Sequence, residues 1–160
     1  MSKLLDNSEL KTIPLEQSAT QVLEEARTIL PGLQALFGFQ LMAVFSSEFG
    51  KLDGLDRLVH WGAIVLTVSA MGLLMAPAAL DRKIGARKVS SAFVDRANQL
   101  LALGLIPLMP AFALECYLVS NVIFDNRNFA LVTGAIVFAF LSFMWLVLPH
   151  ISMRSINHGR

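Results

Sequence analysis

Charged residues are scarce in this sequence, and their scarcity narrows the class of protein. They make up 16% of the 160 residues, whereas hydrophobic residues make up 55%. A soluble domain has about 25% charged residues. Because the missing charges leave long uncharged runs, the composition argues against an ordinary soluble domain and favours an integral membrane protein in a lipid bilayer. The net charge of +1 gives no sign of a nucleic-acid partner.

Residue types that carry chemistry are also few. The single cysteine, Cys116, cannot form an internal disulfide. No spacing in the chain is typical of a metal site, a phosphate loop or a nucleophile with its base. His60 and His150 are expected at opposite faces of the membrane, which argues against a haem held between them. We therefore expect no enzymatic activity and no cofactor.

Four apolar segments lie between the charged residues. Each approaches or exceeds the length of about 20 residues that a helix needs to cross about 30 Å of hydrocarbon. Backbone groups in lipid must be paired internally, so each segment is predicted to be a transmembrane helix. The predicted spans are roughly Leu30–Ser47, Leu58–Leu80, Ala97–Phe124 and Phe129–Ile151. The predicted fold class is an all-α, integral membrane four-helix bundle.

The segment before the first span has an amphipathic pattern. In "PLEQSATQVLEEARTIL" the apolar residues recur at helical spacing, and polar residues such as Glu24 and Glu25 occupy the other face. This pattern predicts an N-terminal amphipathic helix on the cytoplasmic membrane surface, with Pro31 allowing the chain to turn into the bilayer. One long helix kinked at Pro31 is an equal alternative. The predicted organisation is a polar tail (1–13), an interfacial helix (14–30), a four-helix membrane domain (31–151) and a cytoplasmic tail (152–160).

Lysine and arginine residues predict the orientation. Of the 13 Lys and Arg residues, only Lys51, Arg57 and Arg127 fall on one side of the predicted membrane. The other side contains both termini and the loop between the second and third spans. The positive-inside rule places this second side in the cytoplasm. The cytoplasmic basic loop carries Arg82, Lys83, Arg87, Lys88 and Arg96.

Two stretches resemble a known family. They are "EARTILPGLQALFGFQLMAVFSSEF" and "LLMAPAALDR", the latter followed by a short basic loop. The chain resembles, over roughly 24–149, a family of small bacterial four-helix membrane proteins catalogued as domain of unknown function 6328. The resemblance implies a four-helix fold and a bacterial membrane and supplies no activity. Together with the orientation predicted above, we expect the bacterial cytoplasmic (inner) membrane. A histidine often precedes the arginine of the second motif in that family, whereas this chain has Asp81 there, so no role of that histidine carries over.

Four of the polar residues within or at the edge of the predicted spans are candidates for an intramembrane polar site: Gln34, Gln40, His60 and Glu115. An ionisable residue in a membrane helix is a site hypothesis by default. At 1.5 Å per residue, Glu115 and His60 are expected at similar depths, near enough for contact if their helices adjoin. A lone carboxylate there is expected to be neutral, whereas a bond to His60 allows a shared proton or an ion pair. The two glutamines face different sides of their helix, so one of them can bond a neighbouring helix.

Two functions are compatible with these features. The first is a membrane scaffold or accessory subunit of a larger complex or homo-oligomer, in which Glu115 only holds helices together. The alternative is a small transporter or channel with Glu115 and His60 on its pathway. Four transmembrane helices of one chain are too few to enclose a gated pore, so the alternative requires an oligomer.

Overall fold

The computed structural model describes residues 15–84 and 91–149, and within these ranges the chain is helical. Four helices follow one another, and a short 3-10 turn, Phe49–Lys51, lies between the first two. The helices are α1 (Leu15–Ala43), α2 (Gly54–Ile84), α3 (Ser91–Phe124) and α4 (Arg127–Ser142), the last continued by a π-helical turn (Phe143–Val147). The prediction of an all-α chain is therefore confirmed. The predicted tails 1–13 and 152–160, His150, and Arg87 and Lys88 of the basic loop lie outside the described residues.

Three of the described helices are long and apolar enough to cross a membrane. They are Gly54–Arg82, Ser91–Phe124 and Arg127–Val147. These correspond to the second, third and fourth predicted spans. Helix α1 is not among them. In its apolar stretch 26–43, Arg27, Gln34 and Gln40 lower the mean hydropathy.

Of the two alternatives at Pro31, the structure has the single long helix: α1 continues through this proline. The buried positions explain the continuity. Ala19, Val22, Ala26 and Leu33 recur at intervals of three, four and seven residues, so one buried stripe crosses the proline without a change of face. Pro31 itself is exposed. The amphipathic segment therefore packs its apolar face against the other helices as part of the continuous helix α1.

The core lies between α1, α2 and α3. Val22 and Ala26 of α1 pack in one cluster with buried residues of α2 and α3, among them Leu74 and Leu101. One turn nearer the start of α1, Ala19 packs with Phe93 and Val94, close to the start of α3. Helix α4 packs mainly on α3 and buries few of its residues, namely Ala130 and Gly134.

A tight turn sets the register between α3 and α4. Asp125 has a φ of 46°, in the left-handed region, and Asn126 caps α4 by accepting a hydrogen bond from the Phe129 backbone N–H at 3.1 Å. A Cβ at Gly134 would lie 3.1 Å from the Ala113 carbonyl oxygen. The two helices therefore approach closely at this glycine, and the turn holds Arg127 beside the last turns of α3.

A close approach of α2 and α3 at Gly104 gives a first prediction. A Cβ at Gly104 would stand 2.8 Å from Cγ of the fully buried Leu74. We expect Gly104→Ala to lower the free energy of unfolding in detergent by about 1–3 kcal/mol, because the packed helices must separate. Gly72→Ala is the matched control, since no atom lies within 4 Å of a Cβ at that position. Equal stability of the two variants would contradict the close packing.

Candidate functional site

Helix α2 presents a polar stripe to the interior of the bundle. Asp56, His60 and Thr67 are all buried, at 3%, 4% and 0% exposure. They follow one another at intervals of four and seven residues, which places them on one face of the helix. Ala63 and Ala70 share this face and are also buried. In the first half of α2, the face that packs against the other helices is therefore the polar one. A surface helix of a soluble protein has the opposite arrangement, with its apolar face inward.

His60 and Glu115 meet between α2 and α3, as the depth argument predicted. The His60 Nδ1 lies 3.3 Å from Oε1 of Glu115. The other ring nitrogen, Nε2, lies 3.0 Å from the backbone carbonyl oxygen of Gln40, in the last turn of α1. The His60 ring thus touches all three helices of the core. Phe49, in the 3-10 turn, packs edge-on against this ring with centroids 5.3 Å apart.

Gln40 completes the cluster, whereas Gln34 does not belong to it. The Gln40 Nε2 donates to Glu115 Oε1 at 3.0 Å and to Thr67 Oγ1 at 3.1 Å. Thr67 donates its own hydroxyl hydrogen to the Ala63 carbonyl, so it can only accept from Gln40. This fixes the orientation of the amide and leaves the buried Gln40 Oε1 without a partner within the described residues. Gln34 is exposed on α1, so of the two glutamines only Gln40 bonds other helices of the core.

The contacts of His60 indicate which of its ring nitrogens carries a hydrogen. A backbone carbonyl can only accept, so the hydrogen bond to Gln40 requires a hydrogen on Nε2 of His60. The distance of 3.3 Å between Nδ1 and Glu115 Oε1 accommodates one further proton between these two atoms. Whether that proton resides on nitrogen or on oxygen, the histidine and the glutamate together carry no net charge. Removal of the proton would leave a negative charge and two facing lone pairs.

A cavity of about 200 Å³ reaches this cluster from the end of the bundle opposite the basic loop. Its walls are mainly apolar, and His60 and Glu115 both line it. Glu115 uses Oε1 for its contacts with His60 and Gln40, while Oε2 has no hydrogen-bond partner within the described part of the chain. A second cavity, of about 410 Å³, reaches His60 from the side of Trp61. The cluster is thus internal and still accessible to a small molecule.

A second polar network, which the sequence reasoning missed, lies at the same end of the bundle. Asp56 accepts hydrogen bonds from the Tyr117 hydroxyl at 2.9 Å and from Asn121 Nδ2 at 2.8 Å. Arg127 of α4 adds a contact to Asp56 Oδ1 at 3.7 Å and donates to the Tyr117 hydroxyl at 3.3 Å. This network ties α2, α3 and α4 together. Its signal in the sequence is the four-residue spacing of Tyr117 and Asn121 on α3, which matches that of Asp56 and His60 on α2.

The described arginines of the predicted basic loop lie at the other end of the bundle. Arg82 lies in the last turn of α2 and Arg96 in the second turn of α3, and both are exposed. Lys83 is part of α2, but its side chain lies outside the described part. Asp56 lies beside Tyr117 and Leu74 beside Gly104, so α2 and α3 run antiparallel. Arg82 and Arg96 therefore lie at the opposite end of these two helices from the Glu115 cluster.

In the described part of the chain the regular structure is helical, three helices are long and apolar enough to cross a membrane, and polar side chains lie between them. These are the features of a small helical membrane protein. The chain belongs to the family of unknown function DUF6328, whose model matches residues 9–149. This match confirms the resemblance seen in the two sequence motifs and extends it toward the N terminus. No curated protein and no solved structure matches the chain.

Proposed function

We propose that this protein is an integral membrane scaffold or accessory subunit of a larger membrane complex and catalyses no reaction itself. The observation that carries the proposal is the surface of α4. This helix packs mainly on α3 and buries only Ala130 and Gly134 among its described residues, so most of its apolar surface is left uncovered. In a membrane, such a surface faces either lipid or another helix.

Small residues on α4 favour another helix as the partner. Ala130 and Gly134 form one pair at four-residue spacing, which α3 already covers. Ala135 and Ala139 form a second pair with the same spacing, and both are exposed. Pairs of small residues let two membrane helices approach closely, so the second pair suits a membrane helix of a partner subunit or of a second copy.

The proposal predicts that enlarging the exposed pair abolishes assembly. We expect the double variant Ala135→Leu, Ala139→Leu to bind its partner at least about tenfold more weakly, because larger side chains at these positions block the close approach of the two helices. The measurement is purification from membranes in mild detergent, with partners identified by mass spectrometry and oligomeric state by size exclusion. Ala102→Leu, at an exposed alanine of α3, is the control. A wild-type chain that purifies alone and monomeric would contradict the proposal.

We further propose a bacterial cytoplasmic membrane with both termini in the cytoplasm. This topology requires α1 to be a fourth crossing. The stretch of α1 that packs along the core, from Ala19 to Gln40, is about 32 Å long at 1.5 Å per residue, which equals the thickness of the hydrocarbon layer. Its charged residues Glu24, Glu25 and Arg27 lie toward the end that carries the basic loop.

The topology is tested by cysteine labelling in intact cells, with Cys116 replaced first. Probes at Gly54 and Asn126 should react with an impermeant external thiol reagent, because both positions begin helices at the predicted outer end. A probe at Lys83 should be shielded until the cells are opened. Labelling at Lys83 from outside would reverse the orientation.

A second candidate function, an oligomeric transporter or channel, is favoured by one observation. The Glu115–His60 pair combines burial with access to a cavity, and intramembrane carboxylates of this kind often serve ion pathways. Glu115→Gln separates the candidates, since it keeps the shape and hydrogen bonds of the side chain. A scaffold should work normally with this substitution, whereas a proton-coupled transporter should fold and be inactive.

A further inference from the structure

The cavity beside Glu115 has the composition of a binding site for an amphipathic molecule. Phe49, Leu52, Leu118 and Val122 contribute to its apolar wall, and Glu115, whose Oε2 has no hydrogen-bond partner among the described residues, lines the same space. Its volume of about 200 Å³ suits a molecule with one small ring or a few short alkyl groups. An apolar body and one group that satisfies a carboxylate oxygen are the two features such a molecule needs.

The charged side chains around the cavity determine whether it favours a cation or an anion. No lysine or arginine lines this cavity within the described residues. Glu48 at its rim is exposed and bonds Lys51 at 2.7 Å. Arg57, which lines the neighbouring cavity beside His60, is bonded to the Gly50 carbonyl oxygen at 2.9 Å. The charge that the cavity offers to a ligand is therefore that of Glu115.

Charge balance connects the ligand to the shared proton. Glu115 and His60 together are neutral while one proton lies between them, and they carry one negative charge when it leaves. A net charge in this apolar surrounding is costly, so the site favours holding one positive charge at a time. An organic cation can supply that charge in place of the proton.

We infer that the cavity binds a small organic monocation with an apolar body, in exchange for the proton shared by Glu115 and His60. The cation contacts Glu115 Oε2, and its apolar groups lie against Phe49, whose ring face attracts cations. The bond between the shared proton and Nδ1 or Oε1 breaks, and the proton passes through the cavity to water. The imidazole stays neutral with its hydrogen on Nε2, bonded to the Gln40 carbonyl. This exchange goes beyond the scaffold function, and it requires neither a partner subunit nor transport.

Proton release tests the exchange directly. Benzyltrimethylammonium is titrated into the purified full-length protein in weakly buffered detergent, and a pH indicator reports the released protons. We expect one proton per bound cation, and an affinity that rises about tenfold per pH unit while the site is protonated, because the two ligands compete. Neopentylbenzene, which has the same shape without the charge, should release no protons.

Variants locate the exchange. Glu115→Gln should bind the cation at least about tenfold more weakly and release no protons, because its amide can neither ionise nor offer a negative charge. Asp95→Asn, which makes the same chemical change at an exposed position near the start of α3, should behave as the wild type. Cation binding without proton release, release by the neutral analogue, normal exchange by Glu115→Gln, or no binding at millimolar concentration would each overturn the inference. If Glu115→Gln does not fold, the number of protons that the wild-type protein releases per bound cation tests the inference without the variant.

Discussion

Asp56→Leu should lower the free energy of unfolding in detergent by about 2–3 kcal/mol. The carboxylate is almost fully buried and accepts from both Tyr117 and Asn121. Hydrogen bonds to a charged group contribute about 1.5–3 kcal/mol each, and a donor left unpaired in a buried position costs more than the bond itself contributes. Water in the adjoining cavity can reach Asn121 and offset part of this loss.

The control for this prediction lies three residues earlier in the chain. Asp53 caps α2 by accepting a hydrogen bond from the Asp56 backbone N–H at 2.7 Å, and it meets Arg127 at 3.4 Å at an exposed position. Asparagine caps helices as well as aspartate does, and an exposed ion pair contributes little. We therefore expect Asp53→Asn to change stability by less than about 1 kcal/mol, and Asp56→Asn to fall between the two. If Asp56→Leu were as stable as Asp53→Asn, the network would not hold α2, α3 and α4 together.

The contact between His60 and Glu115 was predictable from the sequence because it depends on one quantity, the depth along each helix. A constant rise per residue fixes that depth once the spans are assigned. The choice of Gln40 over Gln34 was not predictable in this way. It depends on the rotation of α1 about its axis, and that rotation follows from the buried stripe that runs from Ala19 to Leu33.

The Asp56 network was missed because the start of α2 was placed too late. With the span starting at Leu58, Asp56 belonged to a loop in water, where a carboxylate needs no partner. The helix begins at Gly54, four residues earlier, so that Asp56 becomes an inward-facing residue of its first turn. Tyr117 shows the same limit, since a tyrosine near the end of a span is typical of a lipid interface. Its burial follows from α4, which covers this face of α3.

The continuity of α1 could not be decided from the sequence because two physical effects oppose each other there. A proline removes one hydrogen bond and favours a kink. A helix that carries an apolar stripe on both sides of the proline gains packing only if it stays in line. Here the stripe is continuous and Pro31 lies on the exposed side, so packing prevails. The proposed topology depends on this outcome, since α1 reaches the depth of Thr67 and Glu115 only as one helix.

Glu115→Leu should lower the free energy of unfolding in detergent by about 1–2 kcal/mol. The substitution removes the acceptor for Gln40 and the partner of His60, and both of these side chains are buried. Hydrogen bonds between membrane helices contribute about 0.6 kcal/mol on average and up to about 1.7 kcal/mol. The loss of two contacts therefore gives a measurable effect.

Glu115→Gln should be nearly as stable as the wild type, because after a small rotation its amide nitrogen can donate to Nδ1 of His60 while its oxygen accepts from Gln40. A double-mutant cycle with His60→Leu isolates the pair itself. If the two side chains act together, Glu115→Leu and His60→Leu should cost less in combination than the sum of the single changes, by more than the error of about 0.3–0.5 kcal/mol for independent sites. Strict additivity would mean that the pair does not hold α2 and α3 together. The hydrogen bond from Gln40 would then account for the stabilising effect of Glu115.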